Sequence, residues 1–113
     1  MTTINCPDKE VFERTRPLFN ALGDETRQGI LLLLAREVRL SVGDLTHLTK
    51  LSRPAVSHHI KILREAELIV EERDGTKRYY HPTFKRYVEP MRELVDQVEQ
   101  FEQYIDKKQS EEQ

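Results

Sequence analysis

Between residues 52 and 64 the chain reads SRPAVSHHIKILR, and its polar groups recur at helical spacing. On a helix of 3.6 residues per turn, Val56, Ile60 and Leu63 form one apolar stripe, while Arg53, Ser57, His58, Lys61 and Arg64 lie on or near the opposite side. An arginine there can read a guanine edge through two donors, a serine or histidine can make single bonds to a base or phosphate, and a lysine can anchor a phosphate. The same residues are badly placed for catalysis. Neighbours on a helix point about 100 degrees apart, so Ser57 with His58 makes no nucleophile and base, and His58 with His59 cannot hold one ion. The four glycines form no phosphate-cradling loop, and the chemistry that remains is binding rather than turnover.

Those residues need elements to hold them. Ser52 is suited to cap the helix that starts at Arg53, with Pro54 in the first turn, where a missing N–H costs nothing. Upstream, Val42, Leu45 and Leu48 are spaced by three and predict a short helix that ends near Lys50, with Leu51 in the turn. Downstream, residues 68–72 and 77–81 read as strands joined by an Arg73-Asp74-Gly75-Thr76 hairpin turn of the Asp-Gly type. Two short helices about a tight turn, at about 42–66, followed by a hairpin at about 68–82, predict a winged helix-turn-helix. Basic residues at the hairpin tip, Arg73, Lys77 and Arg78, would reach phosphate or the minor groove.

Around this core the pattern is helical. Residues 11–22 suit an amphipathic helix that Pro17 interrupts and Gly23 stops, and Asp24 is suited to cap a second helix with an apolar run from Ile30 to Leu34. Residues 38–42 are compatible with a small strand, and residues 107–113 are expected to fray. The last helix, about 87–106, carries Val88, Met91, Val95, Val98, Phe101 and Ile105 at steps of three and four. A stripe that long suits another helix, so the chain is expected to form a homodimer in which Met91, Val95, Val98, Phe101 and Ile105 meet their symmetry mates, helped by Phe12 and Leu18 of the first helix. The fold class is therefore mainly α, about five helices plus a β-hairpin wing, in a single domain over residues 1–113.

Composition sets the outer limits. A chain of 113 residues with 37% hydrophobic content buries a small core, which a partner subunit would enlarge. The longest apolar run, Ile30 to Ala35, is far below the roughly 20 residues that span a bilayer, and residues 1–20 are too charged for a signal peptide, which points to the cytoplasm and away from membranes. Net charge is −2, yet its balance is 0 over residues 1–51, +3 over 52–86 and −5 over 87–113, as expected when one surface meets a polyanion. Cys6 is the only cysteine, so no internal disulfide and no Cys-x-x-Cys pair exist. An inert thiol is expected at Cys6; a redox role would need an intermolecular partner. No cofactor and no metal site are expected.

Taken in order, Leu22-Gly23-Asp24-Glu25-Thr26-Arg27 with Ile30-Leu31, Asp44-Leu45, the run Leu51 to Ala66, and Gly75 with Tyr79-Tyr80 resemble the ArsR/SmtB family of dimeric winged-helix repressors over about residues 15–105. The resemblance implies that the helix beginning at Ser52 lies in the major groove of double-stranded DNA and that a dimer binds an imperfect palindrome. It makes Ser52, Arg53, Pro54, Ser57, His58 and Lys61 the candidate DNA contacts, and matches His59 to the family's histidine beside the buried stripe, which reads as a hydrogen-bonded structural residue with direct base readout as the alternative. The chain also departs from the family. Ser41 and Gly43 stand where metal-sensing members carry a Cys-x-Cys pair, no histidine follows His81 to supply the second metal site on the last helix, and Glu67 replaces a glycine at the turn into the wing. The implied function is a transcriptional repressor without the thiolate metal sensor, its effector unknown. The rival reading is a winged helix that sequesters another regulator. The cationic face of residues 53–64, with Glu65 as its sole acid, favours DNA.

Overall fold

The structure, a computed structural model, describes residues 7–37 and 39–112, so Cys6 and Val38 lie outside the described residues. The chain divides into two compact units, one built from Pro17–Arg86 and the other from the residues up to Arg16 together with those from Tyr87 onward. The element order is α1 (Lys9–Leu22), α2 (Glu25–Arg36), α3 (Val42–Thr49), α4 (Arg53–Glu65), β1 (Ile69–Asp74), β2 (Lys77–Pro82), a short 3-10 turn (Lys85–Tyr87) and α5 (Val88–Glu111). This is a mainly helical winged helix-turn-helix with one antiparallel hairpin.

In the Pro17–Arg86 unit each helix starts at a side-chain cap. Asp24 Oδ1 accepts from the Arg27 amide at 3.1 Å, Ser41 Oγ from the Asp44 amide at 3.1 Å, and Ser52 Oγ from the Ala55 amide at 3.2 Å, each satisfying an amide that the helix leaves without a partner. Helices α3 and α4 pack on each other, and the turn between them is made by Lys50, whose φ of 59° ends α3. Behind α4, Val56, Ile60 and Leu63 are 0, 3 and 0% exposed, as their spacing predicts.

At the corner from α4 to the wing, Glu67 takes φ 58°, a left-handed conformation that a glycine would adopt more readily. Its amide donates to the Arg64 carbonyl and the Leu68 amide to the Leu63 carbonyl, both at 2.9 Å, and Leu63 and Leu68 are fully buried. That pair of bonds, with both leucines out of water, closes the helix despite the Glu67 side chain, so the corner forms without glycine. The wing register pairs Asp74 with Lys77, which leaves Gly75-Thr76 as the two-residue loop, one position later than an Asp-Gly turn. Gly75 at φ 65° occupies the first central position, where a type II′ turn needs it. In place of the strand expected near residues 38–42, the described residues there supply a single bridge, in which the Tyr80 amide donates to the Leu40 carbonyl at 3.0 Å.

In the other unit, Arg14 pairs with Glu93, and the Asp8 amide donates to Gln97 Oε1 at 2.8 Å, which ties the start of α1 to α5. Pro17 is accommodated without breaking α1. Helix α5 continues to Glu111, so residues 107–111 are helical rather than frayed. Its buried side is Pro90 and Leu94, flanked by the buried Tyr87. A second side, with Val88, Val95 and Val98 exposed and Met91, Phe101 and Ile105 half-buried, remains open, as does Phe12. Leu18 is different. It is 5% exposed, packed within the chain, and so offers almost no surface to a partner.

Because a Cβ at Gly75 would meet nothing within 4 Å, Gly75→Ala isolates the conformational cost of the positive φ. A loss of about 1 kcal/mol in urea denaturation is expected.

Candidate nucleic-acid interface

The exposed side of α4 is set by the buried one. With Val56, Ile60 and Leu63 fixed inward, Arg53, Ser57, His58, Lys61 and Arg64 are all exposed. Between α4, the start of α3 and the wing runs an open groove of about 580 Å³, into which Arg53, Lys61, Arg64, Lys77 and Arg78 project with the hydroxyls of Ser41, Ser57 and Thr76. Among the described residues no carboxylate lines it. Five cations around hydroxyls and two helix starts are suited to a polyanion whose charges repeat along a strand.

The wing adds an arrangement that costs stability. Side chains directly opposite across a hairpin share a face, so Arg73 and Arg78 stand together, a like-charge pair that destabilises an isolated sheet. Glu71, 3.7 Å from Arg78, relieves it only in part. A phosphate would relieve it more fully, since charge-assisted bonds to guanidinium are the strong ones.

Five of the nine sequence-predicted contacts thus line one groove: Arg53, Ser57, Lys61, Lys77 and Arg78. His58 and Pro54 are exposed on α4 outside it, Arg73 is exposed on the hairpin, and the Ser52 hydroxyl is engaged as the α4 cap. His59 is half-buried, with Nδ1 3.3 Å from Arg27 Nη1. Arg27 also donates to the carbonyls of Ala21 at 2.8 Å and Asn20 at 3.2 Å, so one guanidinium joins the end of α1, α2 and α4. Arg64 is the groove cation left out of the predicted contacts. Its signal was present in the sequence, three residues after Lys61 on the same face.

Comparisons with known proteins fit this geometry. Residues 24–70 match the arsR family of bacterial regulatory proteins. Over 89 residues the chain is 34% identical to an uncharacterized HTH-type transcriptional regulator of Methanocaldococcus jannaschii, covering 79% of this chain and 99% of that protein. The chain belongs to the arsR family. It is also 42% identical over 76 residues to the arsenic resistance transcriptional regulator ArsR1 of Pseudomonas putida, a match spanning 66% of this chain but only 59% of that one. Among solved structures, NolR from Sinorhizobium fredii aligns with a TM-score of 0.64 at 29% identity, covering 88% of this chain and 95% of that one. An ArsR-like transcriptional regulator from Rhodococcus sp. RHA1 shares the fold with a TM-score of 0.83 at 23% identity, covering 95% and 99%.

The start of α3, which borders the groove, is held by its own polar groups. Ser41 Oγ takes the Asp44 amide, and the Asp44 carboxylate takes the Ser41 amide at 2.9 Å, a reciprocal capping box. The Ser41 amide hydrogen bond holds the Asp44 carboxyl below its ordinary value of 3.8, helped by the Ser41 hydroxyl and by the charge of Lys77. A carboxylate with a depressed folded value contributes stability above its unfolded value, and that contribution fades as pH falls through the lower, folded one. Asp44→Asn is therefore expected to melt at a lower temperature than wild type at neutral pH, and the gap is expected to close as both are titrated toward about pH 3.

Proposed function

We propose that this arsR-family chain is a cytoplasmic homodimeric repressor that binds a palindromic operator in double-stranded DNA, has no catalytic activity, and is not a metal sensor of the thiolate type. The observation that carries the reading is the groove between α4 and the wing, with five cations and, among the described residues, no carboxylate. The two-fold reading rests on the open side of α5. Val95 and Val98 are 50% and 41% exposed, Phe12 is 46% exposed, and such a run of apolar side chains in water is more stable when covered by its own copy.

The groups divide by role. Arg53 at the start of α4 reads bases, because its fork can take two acceptors of one guanine. Lys61, Lys77 and Arg78 hold phosphates and set register. Two copies of α4 related by a two-fold axis would enter successive major grooves about 34 Å apart. The metal reading is disfavoured by the two positions at the start of α3, where a capping hydroxyl and a glycine replace soft ligands. Control then comes from the abundance of the protein, an organic ligand or a partner.

Selection of bound genomic fragments, with and without added zinc, tests this reading, and an enriched palindrome indifferent to zinc is the expected result. Arg53→Ala is expected to lower discrimination between that site and its variants by about 1–3 kcal/mol at one position. Lys77→Ala and Arg78→Ala are expected to weaken all sequences alike, and to flatten the slope of log affinity against log salt by about 0.9 for each phosphate no longer neutralised. The double variant Val95→Glu with Val98→Glu is expected to be monomeric by sedimentation equilibrium and to show no operator binding.

A further inference from the structure

The wing contains three carboxylates near the surface that the cations must present, and each has a partner. Glu71 lies 3.7 Å from Arg78, Glu72 is 2.5 Å from His81, and Asp74 Oδ2 accepts from Arg39 Nη2 at 3.0 Å. The last pair differs from the other two. Its cation comes from outside the hairpin, from the segment between α2 and α3, and Asp74 stands directly beside the Gly75-Thr76 loop that forms the tip. Arg39 is also gripped from the second strand, its guanidinium carbon 4.1 Å from the centre of the Tyr79 ring. By the pairing register, Asp74 and Tyr79 occupy one face of the hairpin, so Arg39 spans both strands on that face. The next residue, Leu40, carries the bridge to Tyr80, so charge and backbone fasten the wing at adjacent positions.

We propose that Arg39 is a positioning residue for DNA binding: it neutralises the Asp74 carboxylate and fixes the hairpin tip, so that Lys77, directly across from Asp74 on the same face, meets phosphate without a competing negative charge. This rests on the DNA-binding reading above. In water an exposed pair of this kind adds little to stability, because solvent and salt screen it. Its value emerges beside a polyanion. An unmasked carboxylate at the tip would then face a row of phosphates at short range, and the repulsion would grow as salt is lowered.

The test uses the full chain and a random-sequence duplex of about 30 base pairs, since non-specific affinity is almost wholly electrostatic. Arg39→Ala is expected to weaken binding at low salt by about threefold per wing. Adding Asp74→Asn to that variant is expected to restore most of the loss, and Asp74→Asn alone to leave affinity equal to or above wild type. Arg39→Lys, which keeps the charge, is expected to stay near wild type. Arg39→Gln, a polar replacement that drops the charge and the guanidinium contact with Tyr79, is expected to show the same loss and serves in place of the alanine variant should that one fail to fold. A loss that Asp74→Asn does not restore means that Arg39 touches the duplex itself, and overturns the proposal. So does an unchanged affinity in both Arg39→Ala and Arg39→Gln while wild type binds. A wild-type protein that ignores the duplex overturns the DNA-binding reading and the inference with it.

Discussion

Burial of Val56, Ile60 and Leu63 is the constraint from which the functional surface follows. Each fully buried aliphatic side chain is worth about 1.5–3 kcal/mol, whereas an exposed ion pair such as Lys61 with Glu65 is worth less than about 1. Rotating α4 to hide its cations would put all three apolar groups into water, and no surface pairing on the helix could offset that. The face presented to solvent is thus decided from behind, and Arg27, joined to His59 and to the last carbonyls of α1, secures the same orientation with polar contacts.

Most of this was legible because it is local or periodic. Helix spacing identified the buried stripe of α4, Ser52 and Asp24 announced the helix starts, and a glycine between two β-compatible runs located the wing. Details that depend on tertiary context were not legible. The exposed edge of an amphipathic helix does not reveal which of its apolar residues turn inward, so Leu18 read as an interface residue although it is buried. Strand register moved the turn by one residue, since Asp74 pairs with Lys77 instead of entering the loop. Residues 107–111 read as a fraying tail by their polarity but continue α5. Arg39 gave no signal at all, because its partners Asp74 and Tyr79 lie more than thirty residues away in sequence.

The charge pattern separates what serves folding from what serves binding. Like charges at Arg73 and Arg78 face one another across the hairpin, and cations gather around the groove without an acid among them. Acids stand nearby, Glu71 by Arg78 and Glu65 by Lys61, but none lines the groove among the described residues, whereas on α5 Glu89 pairs directly with Arg92. Stability left unclaimed at the wing and groove is the mark of a surface that is completed by a ligand of opposite sign.

The corner at Glu67 has a mechanical consequence. Only Ala66, Glu67 and Leu68 separate the end of α4 from β1, and they are spanned by two backbone hydrogen bonds beside two fully buried leucines, with little slack to extend. Helix and hairpin are consequently geared together at fixed pitch, like two prongs of one fork. A displacement of the helix therefore carries the hairpin with it, as the handle of a fork carries both prongs.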